Sequence, residues 1–490
     1  MLFDTALTIV GVLLLVGALS CKISSRFNLP TLLLFLAAGA VAEYFMPIEG
    51  AGFVKQINHF GIISMAYILY SGGLETDVAA LRGVSVRGGV LAVPGVALTA
   101  FMTGFGAYII FCGRYPLIWC LLLGALISST DAAAVFSILR GRSVGLKGDL
   151  QPLLEFESGS NDPMAAFLTV VMCTLCAGGE SGSFLLEIPL VFYRLGGGVL
   201  MGILCGWAGK YLFRIRLDFE GLYFVLSVAL VLLCYGAAQL VQTNGFMACY
   251  VCGVYMSGAV YNYKRGLVKF HNAVAWLMQV GLFILLGFLA SPEHLLKPGV
   301  WMPGVALALL LMFAARPLAV FICLAASRHN WREKLLISWV GIRGAAPIVL
   351  ATFPLAMGVE HAEMMFRLVF FMVILSVLIQ GWTLMPVARM LKMAKNVSSR
   401  GARAPLELEI MDDHCDQEMK EFEVVPGSEL IGKTLAQISF PAGVLVTMIR
   451  RDGKFAPAHG NSKIAAGDGL LIMAEQQLLT AVEKRFFYFR

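Results

Sequence analysis

Residues 333–357 read EKLLISWVGIRGAAPIVLATFPLAM, an apolar segment that is long enough to cross a bilayer but is interrupted at its centre. Gly341, Gly344 and Pro347 follow one another closely, and both residue types disfavour a continuous helix. Arg343 lies inside the same interruption. Charge and irregular backbone at bilayer depth are costly and usually mark functional segments. The segment therefore predicts a membrane helix that is unwound at its centre.

A second apolar segment, residues 116–139, is interrupted by Ser128-Ser129-Thr130-Asp131. It is the fifth predicted crossing and residues 333–357 are the twelfth, an odd offset, so the two segments run in opposite directions. Paired interrupted helices in oppositely oriented halves are the best sequence indication of a transporter site. We therefore predict inverted repeats and two unwound helices that cross.

Composition indicates a polytopic membrane protein. Of the 490 residues, 59% are hydrophobic and only 14% are charged, about half the charged share of a soluble domain. Apolar segments predict an all-α fold with about 13 transmembrane helices. We place them at 3–21, 30–46, 57–74, 88–112, 116–139, 150–177, 187–213, 220–241, 244–261, 270–290, 299–326, 333–357 and 364–390.

The basic residues set the predicted orientation. They cluster in alternate connections, as at 140–147 and 389–403, whereas the opposite connections carry few, namely Lys55, Arg114, Arg194, Lys297 and Arg367. This asymmetry places the N-terminus in the periplasm and the C-terminus in the cytoplasm of a bacterial inner membrane. Because Lys22 and Arg26 follow the first apolar stretch, we expect it not to be a removable signal peptide. The net charge of +6 is spread over these clusters, so no nucleic-acid partner is expected.

The last quarter of the chain predicts a small α+β cytoplasmic domain. We divide the chain into a transmembrane domain at 1–395, a polar linker at 396–404 and a soluble domain at 405–490. Strand-like runs occur at 422–425, 444–449 and 469–473, and a helix is predicted at 476–485. The chain has no GxGxxG after a strand, and its CxxC pairs lie in apolar stretches, so we expect no nucleotide, zinc or other cofactor.

Residues 157–163 read ESGSNDP within the predicted crossing 150–177. On a helix, Glu157 and Asn161 share one face and Ser158 and Asp162 share the next. Carboxylate, hydroxyl and amide oxygens are hard ligands that suit a small cation. Asp162 has no basic residue near it in the sequence, so we interpret it as a functional carboxylate.

Structural interpretations of the same residues stay open. Glu157 and Arg343 could form a buried ion pair that only fixes helix packing. Arg316 could extend toward the cytoplasmic side or serve packing. The hydroxyls of Thr130 and Ser158 could bond back to their own helices.

Four stretches, SSTDAAAVFSILRG (128–141), ESGSNDPMAAFLT (157–169), ARPLAVF (315–321) and WVGIRGAAPIVLATFP (339–354), resemble the NhaP-type monovalent cation:proton antiporters. The closest resemblance is to their potassium/proton subgroup. It implies a dimerisation domain, a core domain with two unwound helices, and a homodimer in the membrane lipid. Many sodium-transporting relatives have TDP where this chain has Thr130-Asp131-Ala132, which favours potassium.

The resemblance also implies residue roles. The ion-binding residues, of which the first three would ligate K⁺ or Na⁺, would be Asp162, Ser158, Thr130 and Asn161. The charge-compensating residues would be Glu157, Arg343 and Asp131, with Glu157 paired to Arg343. Residues 422–486, which contain GSELIGKTL, IRRDG and AAGDGLLIM, resemble the C-terminal module of potassium-conductance regulatory (TrkA-C) domains and imply a regulatory domain with a small-molecule ligand.

These observations predict a secondary antiporter that exchanges K⁺ for H⁺, with one cation per proton, by alternating access to Asp162. The alternatives are a Na⁺/H⁺ antiporter of the same fold and a regulated cation channel. A channel would need a selectivity filter, and the chain has no TVGYG-like segment. An intramembrane enzyme would need a nucleophile–base or metal constellation; HExxH is absent and histidines fall at crossing ends. We therefore expect no enzymatic activity.

Overall fold

The computed structural model describes most of the chain. The described residues are 8, 11–15, 17, 19, 31–45, 51–76, 78, 83–141, 144–176, 184–289, 292–295, 297–396, 417–424, 428, 430–438, 440–451, 454–482 and 486. Most of the predicted first crossing and of the linker at 396–404 lies outside them. The chain forms two compact units, Met1–Lys395 and Asn396–Arg490.

The first unit is helical, as predicted. Its helices are α1 (Thr31–Phe45), α2 (Ala51–Glu75), α3 (Ser85–Ile110), α4 (Leu117–Leu126), α5 (Ala132–Gly141), α6 (Leu150–Cys176), α7 (Phe184–Leu212), α8 (Gly221–Leu240), α9 (Gly245–Ser257), α10 (Lys264–Phe288), α11 (Pro292–Leu295), α12 (Pro298–Cys323), α13 (Trp331–Trp339), α14 (Ala345–Ala356) and α15 (Ala362–Met390). The short strands β1 (Val144–Leu146) and β2 (Ala394–Asn396) pair with each other.

Among the described residues, six helical segments are long and apolar enough to cross a membrane. They are Ser85–Ile110, Phe192–Leu212, Gly221–Leu240, Lys264–Phe288, Pro298–Cys323 and Ala362–Met390. Shorter apolar helices lie between them, including α4, α9 and α14. The mostly helical membrane fold is thus confirmed, and the inverted relation of its two halves stays a prediction.

The two predicted interruptions are real breaks in the helices. Residues 127–131 separate α4 from α5, and residues 340–344 separate α13 from α14. We call them the first break and the second break. Both lie within the larger of two buried apolar clusters in this unit, which α3–α6 and α12–α15 supply in large part. The smaller cluster is built mainly from α2 and α7–α10.

The second unit contains an antiparallel sheet, as predicted. Its strands are β3 (Gln417–Glu423), β4 (Leu445–Arg451), β5 (Lys454–Pro457) and β6 (Gly469–Glu475), in the order β3-β6-β4-β5. The helix α16 (Gln476–Val482) follows β6 directly. Strand β5 is absent from the sequence prediction because its four residues lack a clear alternation of apolar and polar positions.

Asp468 connects the turn before β6 to strand β4. Its Oδ1 accepts a hydrogen bond from Arg451 Nε (2.8 Å), and its Oδ2 accepts bonds from Arg451 Nη2 (2.6 Å) and Ala465 N (2.7 Å). Burial tends to raise the pKa of Asp468, but the hydrogen bonds from Arg451 and Ala465 outweigh burial and hold the pKa below its usual value. The carboxylate therefore contributes stability above the pKa of an unfolded Asp, and this contribution is lost as the pH falls toward the folded-state pKa.

We expect Asp468→Asn to destabilise the sheet of the second unit by about 1–3 kcal/mol, because the charged acceptor of Arg451 is removed. Hydrogen exchange of the full-length protein, followed by mass spectrometry, should show faster exchange in peptides from β4 and β6. The exposed Glu475→Gln in β6 is the matched control. Unchanged protection in Asp468→Asn at neutral pH would contradict this role of the carboxylate.

Candidate functional site

The two breaks meet inside the first unit. Asp131 N, at the end of the first break, donates a hydrogen bond to Ile342 O in the second break at 2.8 Å. Backbone groups that leave a helix inside a membrane have no water to bind, so other protein groups must satisfy them. The predicted crossing of the unwound segments is therefore present as a direct backbone contact.

Helix α6 binds the first break through two side chains. Ser158 Oγ donates to Thr130 O (2.9 Å) and accepts from Ala132 N (3.0 Å). Asn161 Nδ2 donates to Thr130 Oγ1 (2.6 Å). Of the open interpretations, back-bonding within one helix does not describe Ser158, since its hydroxyl bridges two residues of another segment. The helix that carries Asp162 is thereby fixed to the break.

Arg343 joins the second break to the first. Its side chain is buried, and Nη1 donates to Ser128 O (2.6 Å) and Ser129 O (2.5 Å). These carbonyls follow the C-terminus of α4, where the helix dipole carries partial negative charge. The positive charge of the guanidinium group therefore faces the C-terminal end of a half-helix.

The predicted ion pair between Glu157 and Arg343 is wrong. Glu157 Oε1 instead pairs with Arg316 Nη2 at 2.5 Å, and both side chains are buried. Arg316 also does not extend toward the membrane surface, since its exposed fraction is 2%. The sequence offers two arginines in distant crossings, and Arg343 is occupied by the carbonyls of the first break.

Glycine lets the charged groups approach the second break. A Cβ on Gly344 would overlap the carboxyl group of Asp131. A Cβ on Gly341 would lie 3.0 Å from Arg316 Nε and 3.4 Å from Thr130 Cγ2. Side chains from the first break and from α12 thus pack directly on the backbone of the second break.

Asp162 lies on α6 next to this crossing. Asp131 and Arg343 are both near enough to act on its carboxyl group electrostatically. Its Oδ1 is buried and makes no hydrogen bond of normal length among the described residues, and the same holds for Ser129 Oγ and Asn161 Oδ1, although Ser129 lies close to the Asp162 carboxyl group. Carboxylate, amide and hydroxyl oxygens of this kind are hard ligands that suit a small cation.

The predicted residues thus divide into two kinds by their contacts. Asp162 and Asn161 retain unsatisfied oxygens, whereas the contacts of Ser158 are with the backbone of the first break. Sequence reasoning missed Ser129 as an oxygen donor and Arg316 as the partner of Glu157. Ser129 could have been found, because its hydroxyl is next to that of Thr130 in SSTD. No sequence pattern distinguishes Arg316 from Arg343 as the partner of Glu157.

Comparisons with known families agree with this geometry. The family description "Sodium/hydrogen exchanger, transmembrane" matches residues 11–390. The TrkA-C domain matches residues 419–486.

Several characterised proteins resemble most of the chain. The K(+)/H(+) antiporter NhaP2 of Shewanella sp. (strain ANA-3) is 34% identical over 487 residues, which cover 98% of this chain and 83% of the relative. The K(+)/H(+) antiporter NhaP of Alkalimonas amylolytica is 33% identical over 483 residues, covering 96% and 81%. The solved structure of the sodium proton antiporter MjNhaP1 from Methanocaldococcus jannaschii at pH 8 superimposes with a TM-score of 0.66 at 25% identity, covering 80% of this chain and 100% of that one.

We expect Glu157→Gln and Arg316→Met each to destabilise the first unit by about 3–5 kcal/mol, because each leaves a buried charge without its partner. The double variant Glu157→Leu/Arg316→Met should recover much of this loss. Thermal unfolding in detergent, followed by the loss of monodisperse protein, measures the effect.

The control for this pair is Glu363→Gln, which removes the acid of an exposed pair with Arg367 on α15 and should change stability little. Wild-type melting temperatures for both single variants of the buried pair would show that the Glu157–Arg316 contact is not needed for stability.

Proposed function

Because the chain belongs to the sodium/hydrogen exchanger family, we propose that it exchanges a monovalent cation, K⁺ in preference to Na⁺, for protons. Asp162 would alternately hold the cation and the proton, and access to it would alternate between the two sides of the membrane. We further propose that it lies in a bacterial inner membrane with a periplasmic N-terminus and a cytoplasmic C-terminus, an orientation that the distribution of basic residues supports.

The observation that carries the proposal is the group of unsatisfied oxygens beside Asp162. Asp162 Oδ1, Asn161 Oδ1 and Ser129 Oγ are buried without a hydrogen bond of normal length among the described residues, and Ser129 lies close to the Asp162 carboxyl group. Buried polar atoms in a protein are normally hydrogen-bonded, and exceptions require an explanation such as an ion. A carboxylate with neutral oxygens around it can bind a partly dehydrated cation, and the same carboxylate can bind a proton instead.

The charges around the breaks support an exchange of one cation for one proton. In their ordinary ionised forms, Arg316 and Arg343 carry two positive charges, while Glu157, Asp131 and Asp162 carry three negative ones. The remaining single negative charge is neutralised by one cation or by one proton. Asn161 adds no charge, and its amide is engaged with Thr130.

The identity of the cation is supported by the relatives. Proteins named K(+)/H(+) antiporter align over nearly the whole chain, including the second unit. A protein named Na(+)/H(+) antiporter 1, from Methanocaldococcus jannaschii, is 27% identical over 359 residues, which cover 71% of this chain and 82% of the relative. Sodium exchange is therefore the second candidate, and the solved sodium proton antiporter of similar fold favours it.

The remaining parts of the proposal concern assembly and control. We propose a homodimer in the membrane and a TrkA-C unit that binds a small molecule and regulates transport. Transport would need no organic cofactor and no catalytic turnover of a substrate, since the work of the site is to bind, shield and release ions.

Proteoliposomes containing the purified protein test the function. With a pH gradient imposed, added K⁺ should dissipate the gradient, Na⁺ should do so less well, and Asp162→Asn should abolish the response, because an amide cannot trade a proton for a cation. Asp218→Asn, at an exposed position between α7 and α8, is the matched control. Full exchange by well-folded Asp162→Asn would overturn the assignment, and cation flux without proton movement would indicate a channel.

The one-for-one exchange predicts that voltage does not move the equilibrium, because the membrane potential acts only on net charge. In liposomes clamped at several potentials under a fixed pH gradient, the cation gradient at which flux reverses should stay constant. Asn161→Asp adds a second carboxylate, to which the Thr130 hydroxyl can donate. If both carboxylates exchange protons, net charge moves in each cycle and the reversal point should depend on voltage. A voltage-dependent reversal point in the wild type would refute the electroneutral proposal.

A further inference from the structure

Helix α15 places two polar side chains in the membrane interior. Ser376 and Gln380 are one turn apart on the same face, and each is 1% exposed. A hydroxyl or an amide in such a place is costly unless it is hydrogen-bonded. Their hydrogen-bond partners therefore indicate why the helix contains these two polar residues.

Both side chains bind the second break. Ser376 Oγ accepts a hydrogen bond from Arg343 N (3.1 Å) and donates one to Gln380 Oε1 (2.6 Å). Gln380 Nε2 donates to Trp339 O (3.0 Å). Trp339 ends α13 and Arg343 precedes α14, so the pair connects both flanks of the break.

The same contacts fix the position of Arg343. Its backbone is held by Ser376, while its guanidinium group holds Ser128 O and Ser129 O in the first break. Residue 129 also carries one of the unsatisfied hydroxyls beside Asp162. A path of direct hydrogen bonds thus runs from α15 through Arg343 to the backbone of Ser129, the residue that carries one oxygen of the site.

We propose that Ser376 and Gln380 are positioning residues for cation exchange, which hold the second break so that Arg343 orders the cation-binding oxygens of the first break. Neither residue touches the cation. The inference rests on the proposed exchange at Asp162 and adds residues that act on it through Arg343.

The physical reason is preorganisation. A site whose oxygens are already ordered loses less entropy when it binds a cation than a site that must be ordered during binding. Without Ser376 or Gln380, the second break loses a fixed partner, and the apparent KM for the cation should rise by about threefold to tenfold. A purely structural role would instead reduce the amount of active protein and thus lower the maximal rate at unchanged KM.

An isosteric pair of substitutions at position 376 separates the hydroxyl from the shape. Ser376→Thr keeps the hydroxyl, whereas Ser376→Val has the same volume without it. Gln380→Met removes both polar functions of the amide at similar length. Thr103→Val in α3 is the control, because it removes a fully buried hydroxyl that has no hydrogen-bond partner among the described residues.

We would measure K⁺-dependent proton release in proteoliposomes at several K⁺ concentrations, together with the K⁺-induced rise in melting temperature in detergent. Ser376→Val and Gln380→Met should raise KM and shift the K⁺-induced stabilisation to higher concentrations, while Ser376→Thr and Thr103→Val should resemble the wild type. Unchanged KM with a lower maximal rate, or an equal effect of Ser376→Thr and Ser376→Val, would overturn the inference. Failure of the wild type to exchange K⁺ or Na⁺ would instead refute the proposed function itself.

Discussion

The need to satisfy backbone groups inside a membrane governs the centre of this protein. Each break leaves backbone carbonyl and amide groups unpaired that a continuous helix would pair, and lipid provides no hydrogen-bond partners for them. The hydrogen bond between Asp131 N and Ile342 O satisfies one group from each break. The remaining groups recruit polar side chains from neighbouring helices, and these side chains bring charge and hydroxyl oxygens to the same place.

The two breaks are held in analogous ways. Helix α6 binds the first through Ser158 and Asn161, and α15 binds the second through Ser376 and Gln380. In each case a hydroxyl and an amide about one turn apart bind the break without adding net charge; Ser158, Ser376 and Gln380 bind backbone groups, whereas Asn161 binds the side chain of Thr130. Of these two helices, α6 also carries a carboxylate, Asp162, next to its amide.

The sequence predicted the parts of this centre that leave a local pattern. The glycines around Arg343 and the run SSTD mark the breaks, and ESGSNDP marks the acidic helix, because polar residues at these spacings are rare in apolar segments. The partner of Glu157 has no such mark, since Arg316 and Arg343 are equally plausible until the helices are packed. Ser376 and Gln380 are isolated polar residues in a long apolar helix, and their role becomes visible only when the backbone groups opposite them are known to be unpaired.

The order of these contacts along the chain has a consequence for control. Helix α15 is the last helix of the first unit, and the chain continues from it into the unit that contains the TrkA-C match. A force or displacement applied to the C-terminal end of α15 therefore acts on the helix that holds both flanks of the second break. Buried hydrogen-bonded networks change between discrete arrangements more readily than they deform. A small shift of α15 would therefore change how rigidly Arg343 and the carbonyl oxygens it binds are held. In the proposed antiporter, regulation by the second unit and ion binding would then share one physical element, the set of hydrogen bonds around the second break.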